Sequence, residues 1–189
     1  MTTNPPAVVV FDGSPLRIEH ICAIAHAKAK VALSTAPEFR ARIQKGADFL
    51  DRLLREDGVV YGVTTGYGDS CTVEIPASLV TQLPHHLYTY HGCGTGRFLT
   101  EVETRAVLAS RLSSLSQGFS AVSWGLLEQL VHLLQHDILP LIPAEGSVGA
   151  SGDLTPLSYV AAVLCGEREV LFQGTRMPAA QALAQTGAT

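Results

Sequence analysis

Residues 146–162 read Gly-Ser-Val-Gly-Ala-Ser-Gly-Asp-Leu-Thr-Pro-Leu-Ser-Tyr-Val-Ala-Ala, and the order inside this stretch decides how the rest of the chain is read. An Ala150-Ser151-Gly152 tripeptide stands between Gly149 and Asp153, just ahead of an apolar run. Three residues in this order can condense on themselves. The Gly152 nitrogen attacks the Ala150 carbonyl carbon. Loss of two waters, one from the Ser151 side chain, then leaves a five-membered ring bearing an exocyclic methylene. None of the twenty side chains supplies such an electrophile. The attack requires the backbone to fold back tightly, which a glycine nucleophile and small neighbours allow.

Three other readings of the loop compete. Gly146, Gly149 and Gly152 recur every third residue, as in a phosphate cradle. A P-loop places Lys after its last Gly, however, and here the acidic Asp153 opposes phosphate. A serine-hydrolase elbow needs G-x-S-x-G, whereas Gly152 follows Ser151 directly. A plain small-residue turn before a helix remains open on spacing alone.

A second segment bears on the choice: Tyr61 to Gly68 reads YGVTTGYG. Residues 146–162 and 61–68 together resemble the two signature segments of the aromatic amino acid ammonia-lyase and aminomutase family. Tyr67 takes the place of the commoner Phe in the family's YGxxTGFG. The resemblance runs from Asp12-Gly13 to Met177-Pro178. It implies a mainly α fold with a few short strands, namely the N-terminal domain of the histidine/phenylalanine ammonia-lyase (L-aspartase-like) fold. It also implies a 4-methylidene-imidazol-5-one (MIO) group formed autocatalytically from Ala150, Ser151 and Gly152. By the same resemblance Tyr61 is the base at the substrate β-carbon, and the Gly68 backbone lies at the substrate. Tyr90 and His91, just before Gly92-Cys93-Gly94-Thr95-Gly96, fall where family members contact the substrate ring. Phenylalanine enzymes tend to carry Phe-Leu there, tyrosine ammonia-lyases His-Leu or His-Gln, and histidine enzymes Ser-His. Tyr90-His91 matches none of these, but an imidazole favours a polar ring over phenylalanine. The ordinary alternative for a lone His is a structural role at a helix-to-loop corner.

The chemistry explains why such residues are needed. Ammonia elimination removes a weakly acidic β-hydrogen and expels a poor leaving group. An electrophile bonded to the amine nitrogen improves that leaving group. A phenol of ordinary pKa ~10 has to be brought into range before it serves as a base, a task suited to the electropositive ends of helices around the loop. The implied reaction yields an α,β-unsaturated acid from L-histidine or L-tyrosine, less so from L-phenylalanine, with a tyrosine/phenylalanine 2,3-aminomutase as the alternative. The implied partners are a small-molecule aromatic amino acid and further copies of the chain in a homotetramer. Full-length family members are much longer. Residues 1–189 are therefore expected to be an N-terminal MIO-loop domain lacking the C-terminal helical bundle, and catalytically silent alone. Leu126, Leu130 and Leu133 are expected to be left exposed by the missing bundle.

Composition bounds the alternatives. The chain has 189 residues, 47% of them hydrophobic and 16% charged, with a net charge of -4. These values suit one soluble globular domain with a core. No Lys/Arg run offers a footprint for nucleic acid or an anionic membrane. No apolar run reaches the ~18 residues of a membrane span, and Met1–Gly13 lacks the pattern of a signal peptide. A cytoplasmic protein is expected. Cys22, Cys71, Cys93 and Cys165 are scattered and read as free thiols. His132/His136 and Cys22/His26 stand at i, i+4 without a third ligand, so no metal site is expected.

Periodicity gives the elements. Val8–Phe11 reads as a strand, followed by a helix capped at Ser14-Pro15 and running to about Leu33. A second helix runs from Phe39 to Leu54, and Gly58–Thr65 reads as extended. A helix is expected within Ala77–Tyr90, interrupted near Pro84. Thr100-x-x-Glu103 is a capping box opening another, and Ser123–Gln135 is a further one. Asp153 or Thr155 caps a helix to about Cys165. Glu169–Gln173 and Thr175–Met177 form a hairpin around Gly174, and Ala179–Gln185 is a last helix. Glu169–Gly174 also spells EVLFQG, close to a viral protease site used in fusion proteins, but Thr175 replaces the usual Pro and the flanks continue the family pattern, which favours a native hairpin.

Overall fold

The computed structural model describes residues 7–56, 58–66, 68–149 and 153–188. The fold is mainly α with a few short strands. Its centre is the pair α5 (Glu101–Ser116) and α6 (Trp124–Gln135), whose Leu108, Leu112, Leu127, Leu130 and Leu133 are fully enclosed. Side chains of this size each stabilise by roughly 1.5–3 kcal/mol when removed from water. α5 starts at the expected capping box: Thr100 Oγ1 accepts from the Glu103 N–H, and the Glu103 carboxylate accepts from the Thr100 N–H at 2.7 Å. Ser123 caps α6 in the same way, its Oγ accepting from the Leu126 N–H. Leu130 and Leu133 therefore belong to the core, and Leu126 is half-buried against it. That corrects the expectation that these three leucines are exposed: each lies on the face of α6 that turns toward α5 and its neighbours.

The N-terminal region departs from the periodic reading. β1 (Ala7–Phe11) is followed by α1 (Ile18–Ala25), which ends eight residues before the expected Leu33. Ala27 takes a left-handed φ of 53° and breaks the helix. Ala29–Leu33 continues as β2, parallel to β1 from Ala7↔Ala29 to Phe11↔Leu33. Alanines at 25, 29 and 32 satisfied a helical repeat, but Ala29 and Val31 alternate onto the buried face beside Val9 and Phe11. The cap of α1 is Arg17, and Ser14 instead donates its N–H to Asp12 Oδ1. α2 (Pro37–Arg55) agrees with expectation and buries Phe39 and Ile43.

Within the span expected to be extended, Gly58–Thr65, residues 61–64 form a turn. The Thr64 hydroxyl accepts from the Val60 N–H at 2.8 Å and the Thr65 hydroxyl from the Gly62 N–H at 3.1 Å. Side-chain bonds of this kind compete with a strand ladder, and only Thr65 keeps a bridge, to Glu74. A 3-10 turn covers Gly68–Thr72. α3 (Ala77–Val80) and α4 (Leu83–His91) follow, with Pro84 in the first turn of α4, where a missing N–H costs nothing.

Three strand groups tie the C-terminal half together. β3 (Thr95–Phe98) pairs antiparallel with β5 (Pro143–Glu145). β4 (Ile138–Pro140) pairs with β6 (Glu169–Phe172), which forms the expected hairpin with β7 (Thr175–Pro178). α7 (Leu154–Leu164) packs on α4, and α8 (Ala179–Thr186) covers the hairpin sheet and the end of α7. Among the described residues no helix is long and apolar enough to cross a membrane.

Candidate active site

The tripeptide Ala150-Ser151-Gly152 lies outside the described residues. Its two flanks do not, and both are constrained. On the entry side β5 leads into Gly146, which packs so tightly that a Cβ there would stand 2.6 Å from Thr155 Cγ2 and 3.2 Å from Gly94 Cα. Gly149 follows in the left-handed region at φ +66°, with open space where a side chain would be. Its N–H donates to Ser147 Oγ at 3.3 Å. On the exit side α7 begins at once, at Leu154. Asp153 holds the cap position without a side-chain capping bond. Its backbone, at φ -105° and ψ 68°, is outside the extended geometry from which a cap side chain reaches the first turn. Thr155 sits inside that turn, where its carbonyl accepts from Ser158 Oγ at 2.6 Å. Neither residue caps α7 as expected.

The loop after His91 is bound to this same structure. Tyr159 on α7 accepts the Gly94 N–H on its hydroxyl at 3.2 Å. Arg168 lies over the Tyr159 ring at 4.3 Å and donates to the Gly92 carbonyl at 3.2 Å. A Cβ on Gly94 would come within 3.1 Å of the Glu145 carbonyl oxygen, so the two segments touch backbone to backbone. The glycines of 92–96 and 146–149 thus let the loop after His91 and the described flanks of the tripeptide share one corner. Tyr159 and Arg168 were not singled out from sequence. Their partners lie 65 and 76 residues away, and no local pattern marks them.

Tyr61 and Gly68 meet directly. The Gly68 N–H donates to Tyr61 Oη at 2.9 Å. Gly68 adopts φ +55° with nothing within 4 Å of a would-be Cβ. Tyr61 is 59% exposed. His91 closes α4, half-buried, and its ring stands edge-on to Tyr90 with centroids 5.2 Å apart. Tyr90 itself is 79% exposed. A cavity of about 590 Å³ brings His91 together with Gly62, Val63, Asp153 and Leu154; Tyr61, Gly68 and Tyr90 lie outside its lining. Deeper in the same wall, Tyr88 shares a 2.8 Å hydrogen bond with His85 Nδ1. Burial, followed by the nearby Cys165 and Glu167, pushes the Tyr88 phenol up from its ordinary value.

Among the described residues no group of three or more His, Cys, Asp and Glu side chains could hold a metal ion. His132 and His136 stack at 4.2 Å, and His132 Nε2 shares a 2.7 Å hydrogen bond with Thr186 Oγ1, which ties α6 to α8. All four cysteines are free and exposed.

The aromatic amino acid lyase family model matches residues 16–189. The histidine ammonia-lyase of Myxococcus xanthus is 38% identical over 95% of this chain and 35% of its own length. The MIO-dependent tyrosine 2,3-aminomutase of Streptomyces globisporus is 39% identical over 95% of this chain and 33% of its own length. The crystal structure of ergothionase, an ergothioneine-degrading enzyme from Treponema denticola, superposes with a TM-score of 0.90. Its identity is 27%, over 96% of this chain and 36% of that one. The chain spans about a third of the length of the curated relatives it matches. With the family model covering nearly the whole sequence, and the paired glycine loops and Tyr61–Gly68 contact formed by its signature segments, the chain belongs to the aromatic amino acid lyase family.

Proposed function

We propose that residues 1–189 are the N-terminal, MIO-loop domain of an aromatic amino acid ammonia-lyase acting on L-histidine or L-tyrosine, less readily on L-phenylalanine, and leaving an α,β-unsaturated acid. The observation that carries this reading is the 2.9 Å bond from the Gly68 N–H to Tyr61 Oη. It joins the phenol expected to act as base to the glycine expected at the substrate. Tyr61 Oη takes the β-proton, and the Gly68 N–H donates to that same oxygen. His91 offers a ring nitrogen to a phenol or imidazole on the substrate, with Tyr90 at its flank.

The residues around the tripeptide fit an MIO group. A left-handed Gly149 stands on one side of the tripeptide and a helix starting at Leu154 on the other, and the small residues between them suit the tight approach that ring closure requires. Ala150, Ser151 and Gly152 would hold the ring, which supplies the electrophile that makes the substrate amine a competent leaving group. The remaining substrate contacts, a carboxylate-binding Arg among them, come from beyond residue 189 and from other subunits of a homotetramer. The chain by itself is accordingly expected to be inactive. Four free thiols fit a reducing compartment, and we place the enzyme in the cytoplasm.

A 2,3-aminomutase is the second reading, favoured by the 39% identity to the tyrosine aminomutase. Release of free ammonia against formation of a β-amino acid separates the two. The reading as a whole is tested on the complete polypeptide by peptide mass. The segment spanning Ala150–Gly152 is expected to be lighter by two waters, about 36 Da. Ser151→Ala is expected to abolish that two-water loss and to lower turnover by on the order of 10³-fold or more. An unmodified segment in a protein that still turns over substrate would reject it.

A further inference from the structure

Arg168 stands in the turn between α7 and β6 with a left-handed φ of 65°. That region is unfavourable for a residue with a Cβ, whereas glycine enters it freely. The turn is nevertheless held there. The Arg168 carbonyl accepts the Ala179 N–H at 2.8 Å, and the Gly166 carbonyl accepts the Ala180 N–H at 3.1 Å. Glu167 and Glu169 flank Arg168, yet its guanidinium makes no ion pair among the described residues. It lies over the Tyr159 ring and donates to the Gly92 carbonyl instead. A Cβ on Gly92 would collide with it, so the guanidinium packs directly on the backbone that follows His91. A strained backbone committed to one long-range side-chain contact points to function and not to a local turn preference.

The place it reaches is the end of α4. Gly92 caps this helix at φ -77° and ψ 50°, without the left-handed conformation that closes many helices on themselves. A cation at the C-terminal end of a helix is favoured by the helix dipole. In the same loop the Tyr159 hydroxyl takes the Gly94 N–H. Gly92 and Gly94 are thus held by two side chains that also stack on each other. His91 is the residue immediately before this grip, half-buried and on the cavity wall.

We infer that Arg168 is a positioning residue for the selection of the substrate ring: it fixes the end of α4 so that the His91 imidazole meets the ring of an amino acid in one orientation. A polar ring needs a directed hydrogen bond and depends on that orientation, and a phenyl ring does not. The inference rests on the proposed role of His91. It does not depend on ring closure at Ser151.

The test uses the complete polypeptide carrying Ser151→Ala, which is expected to bind without turnover, and isothermal titration with L-histidine, L-tyrosine and L-phenylalanine. Adding Arg168→Gly removes the guanidinium and leaves the left-handed φ accessible. The better-bound of the two polar-ring amino acids is expected to lose about 10-fold in affinity, and L-phenylalanine less than about 2-fold. Arg168→Lys keeps the charge without the planar stacking group and is expected to recover part of the loss. Hydrogen exchange over residues 88–94 is expected to quicken about 10-fold in Arg168→Gly, with α6 unchanged. Equal weakening of all three amino acids makes Arg168 a purely structural residue and overturns the inference, as do unchanged affinities or unchanged exchange. Absence of binding by all three before Arg168 is altered is a different result: it rejects the proposed function, and the inference with it.

Discussion

The α5–α6 scaffold and the segment from Gly58 to Gly92 differ in almost every physical respect. In the scaffold, leucines at 108, 112, 127 and 133 have no exposed surface at all. In the described residues of 58–92 only Thr65 and Tyr88 are buried, and the order comes from short polar bonds such as Thr64 to Val60 and Gly68 to Tyr61. Yet Tyr61, Gly68, Tyr90 and His91 all lie in this second segment. Packing holds the one region, and hydroxyl and glycine chemistry shapes the other. A site that admits a substrate keeps groups unburied, and that same requirement leaves its own segment little core to stand on.

This contrast is testable by substitutions that ought to separate stability from chemistry. The largest effect is expected for Tyr61→Phe in the complete polypeptide, with kcat falling about 10²–10⁴-fold and thermal unfolding unchanged. A loss of folding instead would mean that the 59% exposed phenol is part of the scaffold. Next comes Leu112→Ala, which empties a fully enclosed position and is expected to cost about 3 kcal/mol in urea unfolding. Leu79→Ala, in the site segment and 45% exposed, is expected to change stability by no more than about 0.5 kcal/mol. Similar values for the two leucines would break the comparison.

Arg105→Met sharpens it at an intermediate level. The substitution removes both charged hydrogen bonds from α5, to Glu101 and to Asp137 at the α6–β4 corner, and is expected to cost about 2 kcal/mol. The smallest effect is a pH dependence at the start of α5. Arg97, and then the Thr100 backbone and hydroxyl, hold the Glu103 carboxyl down to about 2 from an ordinary 4.5. The folded value lies below the unfolded one, so this contribution is complete above pH 4.5 and fades as pH falls through about 2. Glu103→Gln is expected to flatten that part of the acid-unfolding curve slightly, since both partners are exposed and screened.

Much of the scaffold was legible because its signals are local. Thr100 and Glu103 are three residues apart and make the capping box by themselves. The β6–β7 hairpin needs only Gln173 and Gly174 at positive φ. The errors fall where a local pattern fits two answers. Ala25, Ala29 and Ala32 suit a helix, and the choice of strand came from β1, some twenty residues earlier. Thr64 and Thr65 have the β-branched side chains of a strand, but their hydroxyls were spent on turn bonds. The third strand of the hairpin sheet, β4, carries no mark in a run of Ile138-Leu139-Pro140 and is set by pairing with β6.

The sequence by itself determined the family, the tripeptide and the identity of the residues expected at the substrate, because covalent order is what a condensing Ala-Ser-Gly and the YGVTTGYG segment require. Only the tertiary structure decided that Tyr159 and Arg168 clamp the loop after His91, and that Gly94 and Gly146 must be bare for the two loops to touch. Those relations join residues tens of positions apart, where chain entropy leaves no local preference and only the packed fold can choose.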